Sequence, residues 1–199
     1  ETEADEGYDY TRFADDNITL NVYNWGEYIS DGSEGTMDVV AEFEELTGIH
    51  VNYTTFDTNE SLYAKLKSGG GAYDVIIPSD YMIGKMANEG MLEELDFSNI
   101  PNYEKYIGDA YKNQSYDPEN KYSVPYMWGL VCIIYNTTMV DEGDIVSGWG
   151  LLWDEKYAGQ ILMFNNSRDA FSIAGKMLGR SINPSTVEEV EESAEKLKQ

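Results

Sequence analysis

Cysteine and histidine are almost absent from this sequence, which has one of each in 199 residues. Because Cys132 is the single cysteine, no disulfide can form inside the chain. Cys132 lies within the apolar run 130–134, so its thiol is predicted to be a small buried hydrophobe. His50 lacks the partners that a Cys/His zinc site or a Ser–His or Cys–His pair requires, and we place it at the end of a strand. The sequence therefore predicts no metal centre and no cofactor.

Basic residues are also scarce, with 13 Lys and Arg against 37 Asp and Glu and a formal charge of -24 at pH 7. An excess of that sign would repel a phosphate backbone, which excludes nucleic acid as a partner class. The same excess raises the local concentration of a cationic ligand, although acidity also serves solubility alone. With 42% apolar and 25% charged residues, the chain is expected to be globular.

Long apolar runs are absent as well. No stretch approaches the roughly 20 residues that a membrane-spanning helix needs, so we expect no membrane span in this chain. Residues 1–16 carry seven acids and one arginine with few aliphatic side chains, which indicates a flexible acidic leader. Two interpretations of this leader stay open: an ordinary disordered terminus, and the tether of a lipoprotein whose anchoring cysteine lies upstream.

Strands and helices are predicted to alternate over residues 17–127. In chain order the predicted elements are strand 18–23, broken by Asn24-Trp25-Gly26; a helix through Val39, Val40, Phe43 and Leu46 that ends at Gly48; strand 49–55; helix 59–67; strand 74–77, buried on both faces; and helix 81–88. This alternation implies a mostly parallel sheet covered on both sides. The loops at 25–28 and 78–81 would then meet at the carboxyl edge of the sheet, where ligands bind in such folds.

Residues 128–199 are predicted to form part of a second α/β lobe. We expect an extended run at 130–136, a strand at 160–164, a helix at 167–178 and a second helix that starts near 184–186. One strand pair with two or three helices is a poor closed core for about 70 residues. The second lobe is therefore expected to be truncated.

Five strings occur in a fixed order: YNWGEY at 23–28, FEELTG at 43–48, NESLYAKL at 59–66, AYDVIIPS at 72–79 and VPYMWG at 124–129. Through them the chain resembles the spermidine/putrescine-binding proteins of ABC importers, from about Ile18 to its C-terminus. The resemblance implies the periplasmic-binding-protein fold, with two α/β lobes, a hinge and a ligand cleft between them. It also implies a receptor without enzymatic activity, in the periplasm or on the outer face of the cell membrane, that delivers its ligand to a membrane permease.

The resemblance also implies which side chains hold the ligand. By position in the matched motifs these are Trp25, Glu27, Tyr28, Ser79, Tyr81, Asn166 and Asp169. Asn166 departs from the family, which often has a carboxylate there, so Asp169 alone would carry negative charge on that loop. This departure leaves the preference between spermidine and putrescine open.

The proposed ligand class also agrees with elementary chemistry. A polyamine has protonated amines separated by methylene spacers, and a site for it needs carboxylates or hydroxyls at intervals with aromatic faces between them. Two alternatives remain. The same fold could bind another organic cation or a basic amino acid, with Arg168 as the carboxylate partner, or Glu27 and Asp169 could be the paired acids of a glycoside hydrolase.

Overall fold

The computed structural model describes residues 8–163 and 165–199, which divide into a first unit ending at Met127 and a second unit of Trp128–Gln199. The strands of the first unit are β1 (Thr19–Trp25), β2 (His50–Phe56) and β3 (Val75–Ile76). Its α-helices are α1 (Val39–Thr47), α2 (Asn59–Lys67), α3 (Asp80–Asn88) and α4 (Asn102–Tyr106). In the second unit, α5 (Ser167–Met177) and α6 (Val187–Leu197) follow 3-10 turns at Ile145–Trp153 and Glu155–Tyr157.

The described part of the first unit contains a three-stranded parallel sheet in the order β2-β1-β3. β1 is the central strand and pairs residue for residue with β2, from Thr19 opposite His50 to Trp25 opposite Phe56. The predicted parallel α/β sheet is confirmed. The predicted end of the first strand at Asn24 is wrong, because the ladder continues through Asn24, whose side-chain oxygen also accepts a hydrogen bond from the Trp25 main-chain N–H at 2.7 Å.

The third strand also differs from the prediction. β3 was expected to be buried on both faces, but it pairs over two residues only and 43% of the Val75 surface is exposed. β3 lies at the edge of the sheet, where an edge strand has a neighbour on one side alone. His50 opens β2, with its Nδ1 2.8 Å from Glu44 Oε1.

Local sequence signals explain where the helices begin and end. Asp38 caps α1 by accepting a hydrogen bond from the Ala41 N–H, and Gly48 ends that helix with a positive φ of 71°. Thr58 and Ser61 form a reciprocal capping box at the start of α2. These termini agree with the helices predicted from the sequence.

The core of the first unit packs helices α2 and α3 against the sheet. Its buried side chains are Tyr23, Phe56, Leu62, Met82 and Met86. Burying side chains of this size stabilises the fold by about 1.5–3 kcal/mol each. The core therefore fixes the position of the carboxyl ends of β1 and β2 relative to the start of α3.

The predicted acidic leader lies partly outside the described residues, since residues 1–7 are not among them. Ala14–Asp16 form a short 3-10 helix. Ala14 lies against the end of α1, where a Cβ placed on Gly48 would be 2.7 Å from the Ala14 Cβ. A side chain at position 48 would therefore meet both a steric clash and an unfavourable φ.

The second unit departs most from the prediction. The helices predicted at 167–178 and near 184–186 are confirmed as α5 and α6. The extended run 130–136 and residues 160–163 form no strand in the described structure, and Phe164 lies outside it. A β-strand requires a neighbour for its main-chain hydrogen bonds, and neither segment pairs with one among the described residues.

Cys132 is exposed, so its predicted burial is wrong. It lies in the run 130–136, which no neighbouring strand covers among the described residues. The buried apolar side chains of the second unit are Leu151, Tyr157, Ile173 and Ala174. The indole N–H of Trp153, at the end of the first 3-10 turn, donates to the Lys196 carbonyl of α6 at 2.8 Å.

No helix among residues 8–163 and 165–199 combines the length and the apolar character required to cross a bilayer.

Candidate functional site

The carboxyl edge of the parallel sheet carries five of the predicted site residues, which we call the rim: Trp25, Glu27, Tyr28, Ser79 and Tyr81. Trp25 is the last residue of β1, and its half-buried ring packs against Phe56 with centroids 4.5 Å apart. The same ring lies 5.9 Å from the Tyr28 ring. Because the carboxyl ends of parallel strands meet at one edge, the sheet places the loops after β1 and β3 side by side.

The turn after β1 carries an acid between the two aromatic residues in sequence. Glu27 is exposed, and within the described part of the chain its carboxylate has no hydrogen-bond or ion-pair partner. Tyr28 is 40% exposed, and its carbonyl accepts a hydrogen bond from the Tyr126 hydroxyl. This turn therefore combines a negative charge with two aromatic faces that solutes can reach.

Tyr126 is a rim neighbour that the sequence analysis did not select. It is half exposed and fixes the main chain of the Tyr28 turn across 98 positions of sequence. Its presence in the VPYMWG string was the available signal, but no residue of that string was selected as a site residue. A hydrogen bond between residues so far apart in sequence cannot be inferred from local sequence pattern.

Ser79 and Tyr81 are brought together by a buried amide. Asn59, the first residue of α2, is 1% exposed, and its Nδ2 donates to Ser79 Oγ at 3.0 Å and to the Tyr81 hydroxyl at 2.9 Å. Its Oδ1 accepts from the Ser79 main-chain N–H at 2.9 Å. The Tyr81 hydroxyl in turn donates to Glu60 Oε1 at 3.2 Å. We call these four residues the Asn59 network.

Trp25 and Tyr81 pack against the same buried core, which links the two halves of the rim. Asp80 begins α3, and its carboxylate accepts from the Tyr81 N–H. Ser79 occupies the N-cap position of α3 but makes no side-chain cap bond, and its hydroxyl accepts from Asn59.

The other two predicted site residues lie in the second unit at the start of α5. Asn166 is the N-cap, and its Oδ1 accepts from the main-chain N–H groups of Arg168 at 3.1 Å and Asp169 at 3.4 Å. Asp169 is half-buried in the first helical turn, where a carboxylate is favoured by the helix dipole. The structure thus gives Asn166 a capping role and leaves the negative charge of this loop on Asp169.

A separate groove of about 530 Å³ lies in the second unit, near the end of α5 and along α6. Its lining residues are Leu178, Arg180, Glu188, Glu191, Glu192, Glu195, Lys196 and Gln199, none of which was predicted as a site residue. An ion pair of 2.8 Å joins Arg180 to Glu192 within it. Residues 8–163 and 165–199 contain no group of three His, Cys, Asp or Glu side chains arranged for a metal ion.

Comparison with known proteins gives a consistent result. Residues 38–199 match the model of the family described as bacterial extracellular solute-binding protein. The chain is 40% identical over 186 residues to the spermidine/putrescine-binding periplasmic protein of Escherichia coli (strain K12), an alignment that covers 93% of this chain and 51% of that protein. The chain spans about half the length of the curated relatives it matches.

Solved structures show the same fold. The spermidine/putrescine ABC transporter substrate-binding protein PotD of Streptococcus pneumoniae matches with a TM-score of 0.68 and 43% identity, over 90% of this chain and 53% of that one. The Tp0655 (TpPotD) lipoprotein of Treponema pallidum matches with a TM-score of 0.71 and 26% identity, over 88% of this chain and 53% of that one.

Proposed function

This chain belongs to the bacterial extracellular solute-binding proteins, and from that membership we propose that it captures a polyamine, spermidine or putrescine, for an ABC importer. The names of its relatives, which describe spermidine/putrescine-binding proteins, support this ligand class. The proposed receptor acts outside the cytoplasm and delivers its ligand to a membrane permease. It performs no covalent step.

The observation that carries the proposal is the chemistry of the rim. The Trp25 and Tyr28 rings lie 5.9 Å apart, and the exposed acid Glu27 lies between them in the sequence of the same turn. A protonated amine gains about 0.5–2 kcal/mol from an aromatic face, and its methylene spacers gain from apolar contact with the same rings. Two or three such contacts with charge-assisted hydrogen bonds are sufficient for a micromolar site, at roughly -8 kcal/mol.

The hydroxyls of the rim suit the same ligand. Ser79 and Tyr81 present oxygens, which accept hydrogen bonds from ammonium groups without the desolvation cost of a further buried charge. In the second unit, we assign the anionic contact to Asp169. The Asn166 oxygen is already engaged as a helix cap, and an amide adds no charge.

Isothermal titration of the full-length protein with spermidine and putrescine tests the proposal. We expect saturable binding in the micromolar range for at least one of the two. Lysine, arginine and a neutral diol of putrescine length serve as comparison ligands. Binding heat from lysine or arginine with none from either polyamine would support the basic amino-acid alternative. No binding heat from any of these ligands at millimolar concentration would reject a cation receptor.

A further inference from the structure

The Tyr28 turn, residues 26–29, follows β1 and is anchored by the main chain at each end. Before it, the ladder between β1 and β2 ends at Trp25. After it, the Ser30 carbonyl accepts a hydrogen bond from the Val39 N–H at 3.1 Å. The turn carries the exposed Tyr28 ring. The position of that ring therefore depends on what holds the middle of the turn.

Packing does not hold the middle of this turn. Gly26, Glu27 and Tyr28 are all exposed. A Cβ placed on Gly26 would have no atom of a non-adjacent residue within 4 Å. A segment with so few contacts opens readily unless a hydrogen bond holds it. In the part of the chain that the structure describes, the group that bonds to the turn from outside is the Tyr126 hydroxyl, which donates to the Tyr28 carbonyl.

Tyr126 contributes little to the core, because 53% of its surface is exposed. It lies in a segment without helix or strand, 98 positions from its partner in sequence. Its hydroxyl holds the main chain of the very residue whose ring lies 5.9 Å from the Trp25 ring. Fixing the main chain of Tyr28 restricts where its ring can stand relative to the indole.

We propose that Tyr126 is a positioning residue of the ligand site, which holds the Tyr28 ring beside the Trp25 ring as a preformed aromatic pair for an alkylammonium chain. This inference rests on the proposed polyamine function and deepens it. A turn that is already in place does not have to be ordered when the ligand binds, which lowers the cost of binding. Because Tyr126 acts through Tyr28, its contribution should disappear when the Tyr28 ring is removed.

The test is a double-mutant cycle in the full-length protein, read by isothermal titration with spermidine and putrescine. Tyr126→Phe removes the hydroxyl and keeps the ring. We expect it to weaken binding about three- to tenfold in the native background, the size of one ordinary hydrogen bond. A Tyr28→Ala background keeps the main-chain carbonyl but lacks the ring. There, the same substitution should change affinity less than about twofold, since residues that act as a unit are not additive.

Tyr63→Phe is the matched control, because it also removes a hydroxyl that joins residues distant in sequence. The Tyr63 hydroxyl donates to Glu89 at 2.7 Å, away from the rim. The control should lower the melting temperature and leave affinity within about twofold.

Equal losses from Tyr126→Phe in both backgrounds would show that the hydroxyl acts on the ligand directly or on its own segment, and would overturn the inference. So would an unchanged affinity of Tyr126→Phe in the native background, even with a lower melting temperature. A Tyr28→Ala protein that binds like wild type would also overturn it, and this result does not depend on the Tyr126 variant folding. Absence of wild-type binding would instead reject the proposed function and this inference with it.

Discussion

Trp25 belongs both to the core and to the rim, because its ring packs against Phe56 and lies beside the exposed Tyr28. The extension of β1 by two residues beyond its predicted end is what places the indole at the sheet edge. A residue with both roles must be tested for binding and for stability separately.

Trp25→Ala is expected to weaken polyamine binding by about 1–2 kcal/mol, roughly 5- to 30-fold, since it removes one of the aromatic faces of the rim. Titration of the full-length variant at a temperature where circular dichroism shows it folded provides the measurement. Tyr106→Ala, which removes an exposed aromatic from α4, is the control and should bind normally. Equal affinities of the Trp25 variant and wild type would remove the indole from the site.

Asp169→Asn tests the anionic contact assigned to the second unit. We expect an affinity loss of about 1.5–3 kcal/mol, typical of a lost hydrogen bond to a charged group. Glu188→Gln provides the matched control, because it also removes an acid from the first turn of a helix, in α6, and both changes cost about 0.3–1 kcal/mol of stability. If both variants lose stability alike and neither loses affinity, Asp169 serves the helix dipole only.

At the scale of elements, one acid joins α2 to the end of α3. Glu89 accepts hydrogen bonds from the Tyr63 hydroxyl and Lys67 of α2, both at 2.7 Å, and from Lys85 of α3. The hydrogen bond from Lys67, followed by those from Lys85 and Tyr63, lowers the pKa of Glu89 to about 2 from its ordinary 4.5. The two helices that carry the Asn59 network are thereby linked at their opposite ends.

A depressed pKa of this kind makes the contribution of Glu89 dependent on pH. The folded state holds the carboxylate charged below the pKa of the unfolded chain, so the stabilisation is complete above about pH 4.5 and is lost as pH falls towards 2. Glu89→Gln should therefore lower the free energy of unfolding at pH 6 and match wild type near pH 2. Urea unfolding at a series of pH values measures this, and a pH-independent difference would contradict the assignment. Glu93→Gln, which alters a nearby acid, is the control.

At the scale of the whole molecule, the second unit exposes side chains that usually lie inside a protein. Leu130, Ile134 and Leu162 are 83%, 94% and 97% exposed. They lie in the predicted extended run 130–136 and the predicted strand 160–164, whose described residues form no strand. Apolar surface of this kind binds other apolar surfaces, because its removal from water is favourable by about 25 cal/mol per Å².

The 199-residue chain is therefore expected to increase the fluorescence of the dye ANS. Ile134→Ser/Leu162→Ser should reduce that fluorescence severalfold, because it places hydroxyls on the exposed segments. Met37→Ser, a change of one exposed apolar side chain in the first unit, should alter it little. If the chain does not increase ANS fluorescence, these segments are covered in solution.

Local sequence pattern was sufficient to predict most of the helices and strands of the first unit. The bounds of α2 and the ends of α1 follow from capping residues and from Gly48, and the parallel sheet follows from the alternation of strands and helices. Of the rim, the sequence identified the residues that meet at the carboxyl edge. It missed Asn59 and Tyr126, because their roles consist of hydrogen bonds to residues at least 20 positions away.

The sequence by itself determined three features: the order of the elements, the helix termini, and the acidic and aromatic composition of the loops. Each of these depends on interactions within a few residues. Tertiary structure alone decided that β1 reaches Trp25, that β3 is an exposed edge and that Asn59 joins Ser79 to Tyr81. It also decided that run 130–136 stays unpaired in the described structure. The physical reason is the same in each case: a main-chain or buried polar group is satisfied by whichever partner the fold brings to it, and that partner is distant in sequence.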